Sequence, residues 1–340
     1  MSENRGHLFK WAAVVAATGT LAYLVYRLSS KRTKVQAAYL KPAVLSTDLP
    51  GLTKLYSGKV RDIYAVDEES TLHVATDRLS SFDVVMINGI PGKGKILTQL
   101  ALWWFEYLEQ NGGCPNHVIT GNVDQMPAKV RKHADVIRGR CMLVKNLKMS
   151  PIESIVRAYI TGSGWAEYKK SGTVCSIRLP EGLQDCQQLP AAIFTPSTKA
   201  ELGAHDENIS FEQACKLVGD VRANELADSS LRYYKLAAKY AASKGVIIAD
   251  TKFEFGEGSG GELILADEIL TPDCSRFWSK EKYVVGRQQD SLDKQHVRNY
   301  LLSIDFDKTT PIAIPDSVVE ETLQKYIDIF RILTGKDPEL

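Results

Sequence analysis

The stretch VIIADTKFEFGEGSGGELILADE, residues 246–268, places carboxylates and an ammonium where a strand would line them up. Apolar runs flank a glycine-rich loop, which predicts a β-hairpin. Side chains alternate faces along a strand. Asp250, Lys252 and Glu254 therefore share one face, and Thr251, Phe253 and Phe255 the other; on the return strand Leu263, Leu265 and Asp267 share a face. Two readings compete. One is a solvated face of mixed charge, the commoner arrangement in antiparallel sheets. The other is a site where two acids across the hairpin hold Mg²⁺ and the lysine beside them meets phosphate. Mg²⁺ suits that pattern because it takes one or two carboxylates together with phosphate oxygens and waters.

Other segments carry compatible chemistry. YSGKVRDIY sets Gly58, Lys59 and Arg61 in a strand-turn-strand context. Glycine lets backbone N–H groups approach a phosphate, and the cations neutralise it; the alternative is an ordinary surface turn. The segment is no Walker motif, because it lacks G-x-x-x-x-G-K-[ST] and no helix follows at once. SPIESIVRAYITGSGW puts Arg157 on a strand, ahead of Ser163 in a glycine-flanked turn. The turn offers N–H groups and a hydroxyl to an anion, and the guanidinium adds a bidentate fork; the alternative is a structural arginine beside a helix cap. IFTPSTKAELGAHDENIS gathers Lys199, Glu201, His205, Asp206, Glu207 and Asn208, and LADEILTPDCSRFW gathers Asp267, Asp273, Ser275 and Arg276. Either segment could be a plain polar loop. Phe194, Phe277 and Trp278 among these acids favour a cleft, since aromatics are costly to leave in water.

The elements that must position these groups follow from periodicity. LTKLYSGKVRDIYAV and STLHVATDR read as strands, and SFDVVMING as a third strand ending in a turn. Ile96, Leu97, Leu100, Trp103, Trp104, Tyr107 and Leu108 recur at helical spacing before Asn111-Gly112, and the stripe reads as core. GRCMLVKNLKMSPIESIVRAYI predicts two strands around Ser150-Pro151. GSGWAEYKKSG predicts a short helix capped by Ser163. Residues 209–245 hold two helical stretches with Ser210 as N-cap and Gly245 as C-cap. DSLDKQHVRNYLLS and SVVEETLQKYIDIFRILTG are late helices. Strands, helices and strands in blocks point to α+β rather than a doubly wound sheet.

Bulk properties narrow the function. The 340 residues hold one large or two ordinary domains. A net charge of +1 gives no global field to recruit nucleic acid. Six scattered cysteines form no C-x-x-C, disulfide framework or zinc spacing, which suggests a reducing compartment, and no H-E-x-x-H is present. The N-terminus differs. Trp11–Tyr26 is uncharged, Lys10 precedes it, and Arg27, Lys31, Arg32 and Lys34 follow. It is short of the ~20 apolar residues of a full span, although Leu8, Phe9 and Leu28 extend it if Lys10 and Arg27 snorkel. A signal peptide would carry its charge mainly before the apolar core, and a mitochondrial presequence would be amphipathic. Residues 8–28 are therefore expected to be a membrane anchor, with the catalytic part on the cytosolic side.

Eight segments in order resemble one family. SGKVRDIY, DRLSSFDVVM, IPGKGKILT, SPIESIVRAYITGS, FTPSTKAELGAHDENIS, IADTKFEFG, DEILTPDCSRFW and DSLDKQHVRNYL are similar to motifs of SAICAR synthetase, the phosphoribosylaminoimidazole-succinocarboxamide synthase of purine biosynthesis. The resemblance spans roughly residues 50–335. It implies an α+β fold of two mixed layers with antiparallel sheets and an ATP cleft between them; the N-terminal apolar helix expected from residues 8–28 is not typical of the family and is added to that fold. Residues 1–45 would be anchor and linker, 46–135 a kinase-like N-terminal lobe, and 136–340 a larger α+β domain. The implied reaction joins L-aspartate to the carboxylate of the carboxylated aminoimidazole ribotide (CAIR), with ATP giving ADP and phosphate through an acyl phosphate. Such chemistry needs Mg²⁺ and cations rather than a covalent protein nucleophile.

By matching position, the resemblance implies that Gly58, Lys59, Arg61 and Lys252 contact ATP, and that Glu254 and Asp267 hold Mg²⁺. Arg157, Ser163 and Arg276 would clamp the ribotide 5′-phosphate. Ser81 and Asp83 would help enclose the substrates, and Asp206 and Glu207 would act in catalysis beside Lys252. Two positions depart from the family's pattern: Ala158 stands where glycine is frequent, and Cys274 where serine or glycine is usual. Another ATP-using phosphotransferase is the first rival, but H-R-D-x-x-x-x-N and D-F-G are absent. A non-catalytic scaffold for purine enzymes is the second; both proposed metal carboxylates argue against it.

Overall fold

Thr53–Ser57 (β1), Arg61–Ala65 (β2) and Ser70–Ala75 (β3) form an antiparallel meander in the computed structural model, which describes residues 41–199 and 207–340. Val118–Thr120 (β6) and Cys141–Lys145 (β7) complete a five-stranded sheet in the order β1-β2-β3-β7-β6. Alternation divides its side chains between two faces. Tyr64, Leu72, Val74, Cys141 and Leu143 pack on Val123, Met126, Val130 and Ile137, which lie between β6 and β7. Ile63, Thr71, His73 and Val144 lie on the other face and line a cavity.

Between β3 and β6, SFDVVMING is not a full strand. It makes a minimal hairpin, Ser80–Ser81 (β4) and Val84–Val85 (β5). Phe82 and Asp83 form its tip, both at positive φ (52° and 65°). A two-residue hairpin loop needs that hand of turn. Lys93–Gly112 (α1) follows and buries Ile96, Leu97, Leu100, Trp104 and Leu108, as the spacing predicts. Gly113 ends it in the left-handed region.

The second sheet has seven strands. Its spine is Gln188–Phe194 (β12), Ile152–Tyr159 (β9), Val246–Glu257 (β14) and Leu263–Ala266 (β15). Lys148–Met149 (β8) and Ser275–Ser279 (β16) also pair with β14, and Ser197–Thr198 (β13) with β9. Gly162–Ser171 (α2), Phe211–Val218 (α3) and Asp220–Ser243 (α4) surround it, and Gln295–Ser303 (α5) and Asp316–Thr334 (α6) close the chain. Ser210 caps α3 in a full capping box with Gln213. Ser163 does not cap α2: Thr161 holds that position, and Ser163 lies in the first turn with its hydroxyl turned to Arg157.

The fold is thus α+β with antiparallel sheets. The expected N-terminal apolar helix lies outside the described residues. No helix among the described residues is long and apolar enough to cross a membrane.

Candidate functional site

β14 has no solvated face. Phe253 and Phe255 are fully buried on one side, and Asp250 and Glu254 are only 5% and 8% exposed on the other. Strand register explains how charges survive there. β14 runs between β9 and β16, with Asp250 opposite both Arg157 and Arg276. Arg157 Nη1 donates to Asp250 Oδ2 at 3.3 Å, and Arg276 donates to the same oxygen. Buried charges are tolerated when paired and hydrogen-bonded in this way. Arg157 also donates from Nη2 to Ser163 Oγ (3.0 Å) and from Nε to Thr195 Oγ1 (3.1 Å). Burial opposes its charge, and so does Arg276; Asp250 supports it.

These groups line a cavity of about 220 Å³ that also takes in Lys252, Cys274 and Arg298. The N-terminus of α2 sits against it. A Cβ on Gly162 would lie 2.5 Å from Arg276 Nη2, at φ +56°, so only glycine brings that backbone to the guanidinium. Two arginines, a serine hydroxyl and a helix N-terminus make an anion site.

Two residues further along β14 the charges continue. Lys252 contacts Glu153 and Glu254, the latter at 3.1 Å, and Lys199 Nζ meets Glu254 Oε2 at 2.5 Å. Burial opposes the Lys252 ammonium, but Glu254 and Glu153 raise its pKa well above the ordinary value. Asp267 follows β15 at φ 60°, which breaks strand alternation and turns its carboxylate to Arg61. Arg61 also pairs with Glu268 at 2.8 Å. Burial would raise the Asp267 pKa; Arg61 holds it well below the carboxylate range instead.

Glu254, Asp267 and Lys199 line a second cavity of about 390 Å³, whose wall includes the apolar Leu55, Ile63, Val144, Leu147 and Met149 together with polar groups among which are His73, His117 and Lys145. An apolar slot with charges at one end suits a nucleotide base and its phosphates. Burial lowers both imidazoles, His73 to about 4 and His117 to about 3, so both are neutral near pH 7. Lys252–Glu254 joins the two cavities.

The donor set fits Mg²⁺ of one kind. Among the described residues no group of three or more His, Cys, Asp or Glu could hold a metal by itself. Glu254 and Asp267 supply two carboxylates, and Lys199, Lys252 and Arg61 beside them are cations that phosphate would engage. That set matches a Mg²⁺ arriving with nucleotide phosphates rather than an all-protein cage.

The structure thus gathers Arg61, Lys252, Glu254 and Asp267 in one cluster, and Arg157, Ser163 and Arg276 in the other. Gly58 and Lys59 form the turn before Arg61, and Lys59 Nζ meets Asp83 at 2.6 Å. Ser81 is buried, with a hydroxyl that has no hydrogen-bond partner. Glu207 is exposed, pairs with Thr198 through its backbone and lines neither cavity. Asp206 lies outside the described residues.

Sequence reasoning missed several groups. Glu153 shares the parity of Arg157 on β9, so alternation could have placed it beside Lys252 and Glu254. Arg298 on α5 has no comparable local signal; the packing of α5 sets it against the cavity lined by Arg157 and Arg276. Burial lowers its pKa, as does Arg276. Asp273, visible in the sequence only as an acid of a polar segment, ties three elements together: Lys93 Nζ meets it at 2.7 Å and Tyr326 donates to it at 2.8 Å. The Cys274 thiol beside it accepts from Thr271 N–H at 3.3 Å, and burial pushes its pKa to about 12.

Comparison with known proteins agrees with this geometry. The family model described as SAICAR synthetase matches residues 54–311. A phosphoribosylaminoimidazole-succinocarboxamide synthase from Desulfatibacillum aliphaticivorans is 52% identical over 294 residues, 86% of this chain and 97% of that protein. One from Thermodesulfovibrio yellowstonii is 52% identical over 297 residues, covering 87% and 100%. The SAICAR synthase of Saccharomyces cerevisiae, solved with SAICAR, superposes with a TM-score of 0.80 at 43% identity, over 87% of this chain and 100% of that one. A SAICAR synthetase solved with ADP gives 0.62 at 26% identity, over 84% and 99%.

The membrane-anchored localisation expected from residues 8–28 is corrected. Those residues lie outside both the described structure and the matched span 54–311, and no described helix could serve as an anchor. A relative that aligns over 97% of its own length does so with only 86% of this chain, so the family resemblance carries no anchor. By sequence over most of its length and by fold, the chain belongs to the SAICAR synthetase family.

Proposed function

We propose that the two joined cavities divide the family's reaction between nucleotide and ribotide. The chain is an ATP-dependent carbon–nitrogen ligase that joins L-aspartate to the carboxylate of CAIR in purine biosynthesis. In our reading the base of ATP enters the slot lined by Leu55, Ile63, Val144 and Leu147. Gly58, Lys59 and Arg61 receive its phosphates, and Lys252 stands between the cavities, where the transferred phosphoryl passes. Glu254 and Asp267 would hold Mg²⁺, which when bound neutralises charge on the phosphates. Arg157, Ser163 and Arg276 clamp the 5′-phosphate of CAIR, and Arg298 faces the anionic end of the same ligand.

The order of events follows from reactivity. A carboxylate is a poor electrophile, so the CAIR carboxylate first attacks the γ-phosphoryl group and becomes an acyl phosphate, releasing ADP. The amine of aspartate then attacks that carbonyl carbon, and phosphate leaves. The protein positions the partners and balances charge. Asp83 pairs with Lys59, and in our reading it and Ser81 would help enclose aspartate. Asp206 and Glu207 would belong to the loop that completes this enclosure.

The observation that carries the reading is Asp250 between Arg157 and Arg276, on a strand whose next outward residue is Lys252. The test mixes the full chain with Mg-ATP, CAIR and L-aspartate and follows SAICAR by mass spectrometry, omitting each in turn. Product that requires all three is expected. Product formed without ATP, or none from folded protein, would overturn the reading.

A further inference from the structure

Arg78 stands behind the Gly58–Arg61 turn and spends its side chain on it. Nη2 donates to Gly58 O (2.8 Å) and to Asp62 Oδ1 (2.9 Å), Nε donates to Lys59 O (3.3 Å), and Nη1 donates to Leu45 O (2.6 Å). Thr76 continues the pattern, giving both its N–H (2.9 Å) and its hydroxyl (2.8 Å) to Val60 O. Three successive carbonyls of the turn therefore point to the Thr76–Arg78 segment. In a trans peptide the C=O of one residue and the N–H of the next point in opposite directions, and no cis peptide occurs among the described residues. The amides of Lys59 and Val60 must then face away from Arg78. Consecutive amides turned one way make a concave anion cradle, here in the turn that leads into Arg61.

We propose that Arg78 is a positioning residue for the nucleotide: by taking the carbonyls of Gly58 and Lys59, it aims the Lys59 and Val60 amides at the phosphates of ATP. This rests on the reading of Gly58–Arg61 as the phosphate turn. Arg78 does not touch the ligand, because four donor directions of its guanidinium are already engaged by protein oxygens. The same segment anchors other parts of the lobe. Asp77 accepts from Gly94 N–H at the start of α1 (2.9 Å) and pairs with Arg140 (3.0 Å), so Arg78 is fixed to the sheet and not to a mobile surface.

The test compares full-length Arg78→Ala, Arg78→Lys and Lys59→Ala in two measurements: steady-state kinetics with each substrate varied, and hydrogen exchange of residues 57–62 with and without a non-hydrolysable ATP analogue. Arg78→Ala is expected to raise KM for ATP by about tenfold, leave KM for CAIR within about twofold, and abolish protection of the turn by the analogue. Arg78→Lys, with a single nitrogen in place of the fork, should fall between. A wild-type KM for ATP in Arg78→Lys, should Arg78→Ala not fold, would overturn the proposal. So would an equal loss toward all three substrates, which marks a merely structural role. The underlying reading fails differently: the wild-type turn would then gain no protection from the analogue, and Lys59→Ala would leave KM for ATP unchanged.

Discussion

β14 presents Asp250, Lys252 and Glu254 on one face by strand alternation, with Asp250 opposite an arginine on each neighbouring strand and Lys252 and Glu254 paired through their side chains. The Gly58–Arg61 turn presents mostly backbone, and its shape depends on one arginine and one threonine behind it. The β14 wall is a lattice of ion pairs in which Asp250, Lys252 and Glu254 each have two charged partners. The turn is a thin element supported from one side, by Thr76 and Arg78. Losing a member of the lattice strands a charge in a low-dielectric interior, whereas loosening the turn changes aim more than charge balance. The two walls should therefore fail in different ways.

The strongest break should come from Glu254→Gln. It removes a proposed metal carboxylate and takes the charge from the partner that Lys199 and Lys252 share. Turnover is expected to fall by on the order of 10²–10³ while the circular dichroism spectrum stays native, since oriented charge at the transferred phosphoryl contributes several kcal/mol. A wild-type rate would remove Glu254 from the metal site. Arg157→Ala should cost about 10²-fold in kcat/KM for CAIR, because truncating one partner of a buried, hydrogen-bonded charge pair costs about 2–5 kcal/mol. An effect confined to ATP would overturn the ribotide assignment.

Gly162→Ala sharpens the same wall with a smaller change. Its Cβ would meet Arg276 Nη2 at 2.5 Å in a backbone region that L-residues avoid. KM for CAIR is expected to rise about tenfold, matching roughly 1–2 kcal/mol of left-handed strain plus a displaced guanidinium. An unchanged KM would show that α2 need not approach Arg276.

The smallest effect reads the turn through acid stability. Asp62 is fully buried. Burial alone would raise its pKa, but donors from Ser57, Thr47 and Arg78 hold it down at about 2, from 3.8. Its folded-state pKa is thus depressed. The stability it contributes is present above about pH 4 and is lost as pH falls through about 2. The gap amounts to ~2 kcal/mol, so Asp62→Asn should flatten the pH dependence of unfolding between those limits by that amount. An unchanged slope in urea unfolding would separate Asp62 from the support of the turn.

The hairpin, its Asp250/Lys252/Glu254 face, the α1 stripe and the Ser210 cap were all legible in the sequence, because each depends on a period of two or 3.6 residues or on a local cap. SFDVVMING misled because two apolar valines resemble a strand, while the chain reverses at Phe82–Asp83. Asp267 misled in part, since alternation assumes extended backbone and its φ is positive. Arg298 gave no local signal, and Asp273 showed only as an acid in a polar segment, because its partners Lys93 and Tyr326 are distant in the chain.

The sequence by itself determined which side chains share a strand face, which stripe of α1 is core, where α1 ends and where α3 begins, because such periods and caps are properties of a short backbone segment. Tertiary structure alone decided that Asp250 stands between two arginines, that Arg78 supports a turn twenty residues earlier, and that Arg61 closes on Asp267. Those contacts are set by strand pairing and by the packing of distant elements. Charges leave water there only because partners from distant segments offset the cost, which no local pattern records.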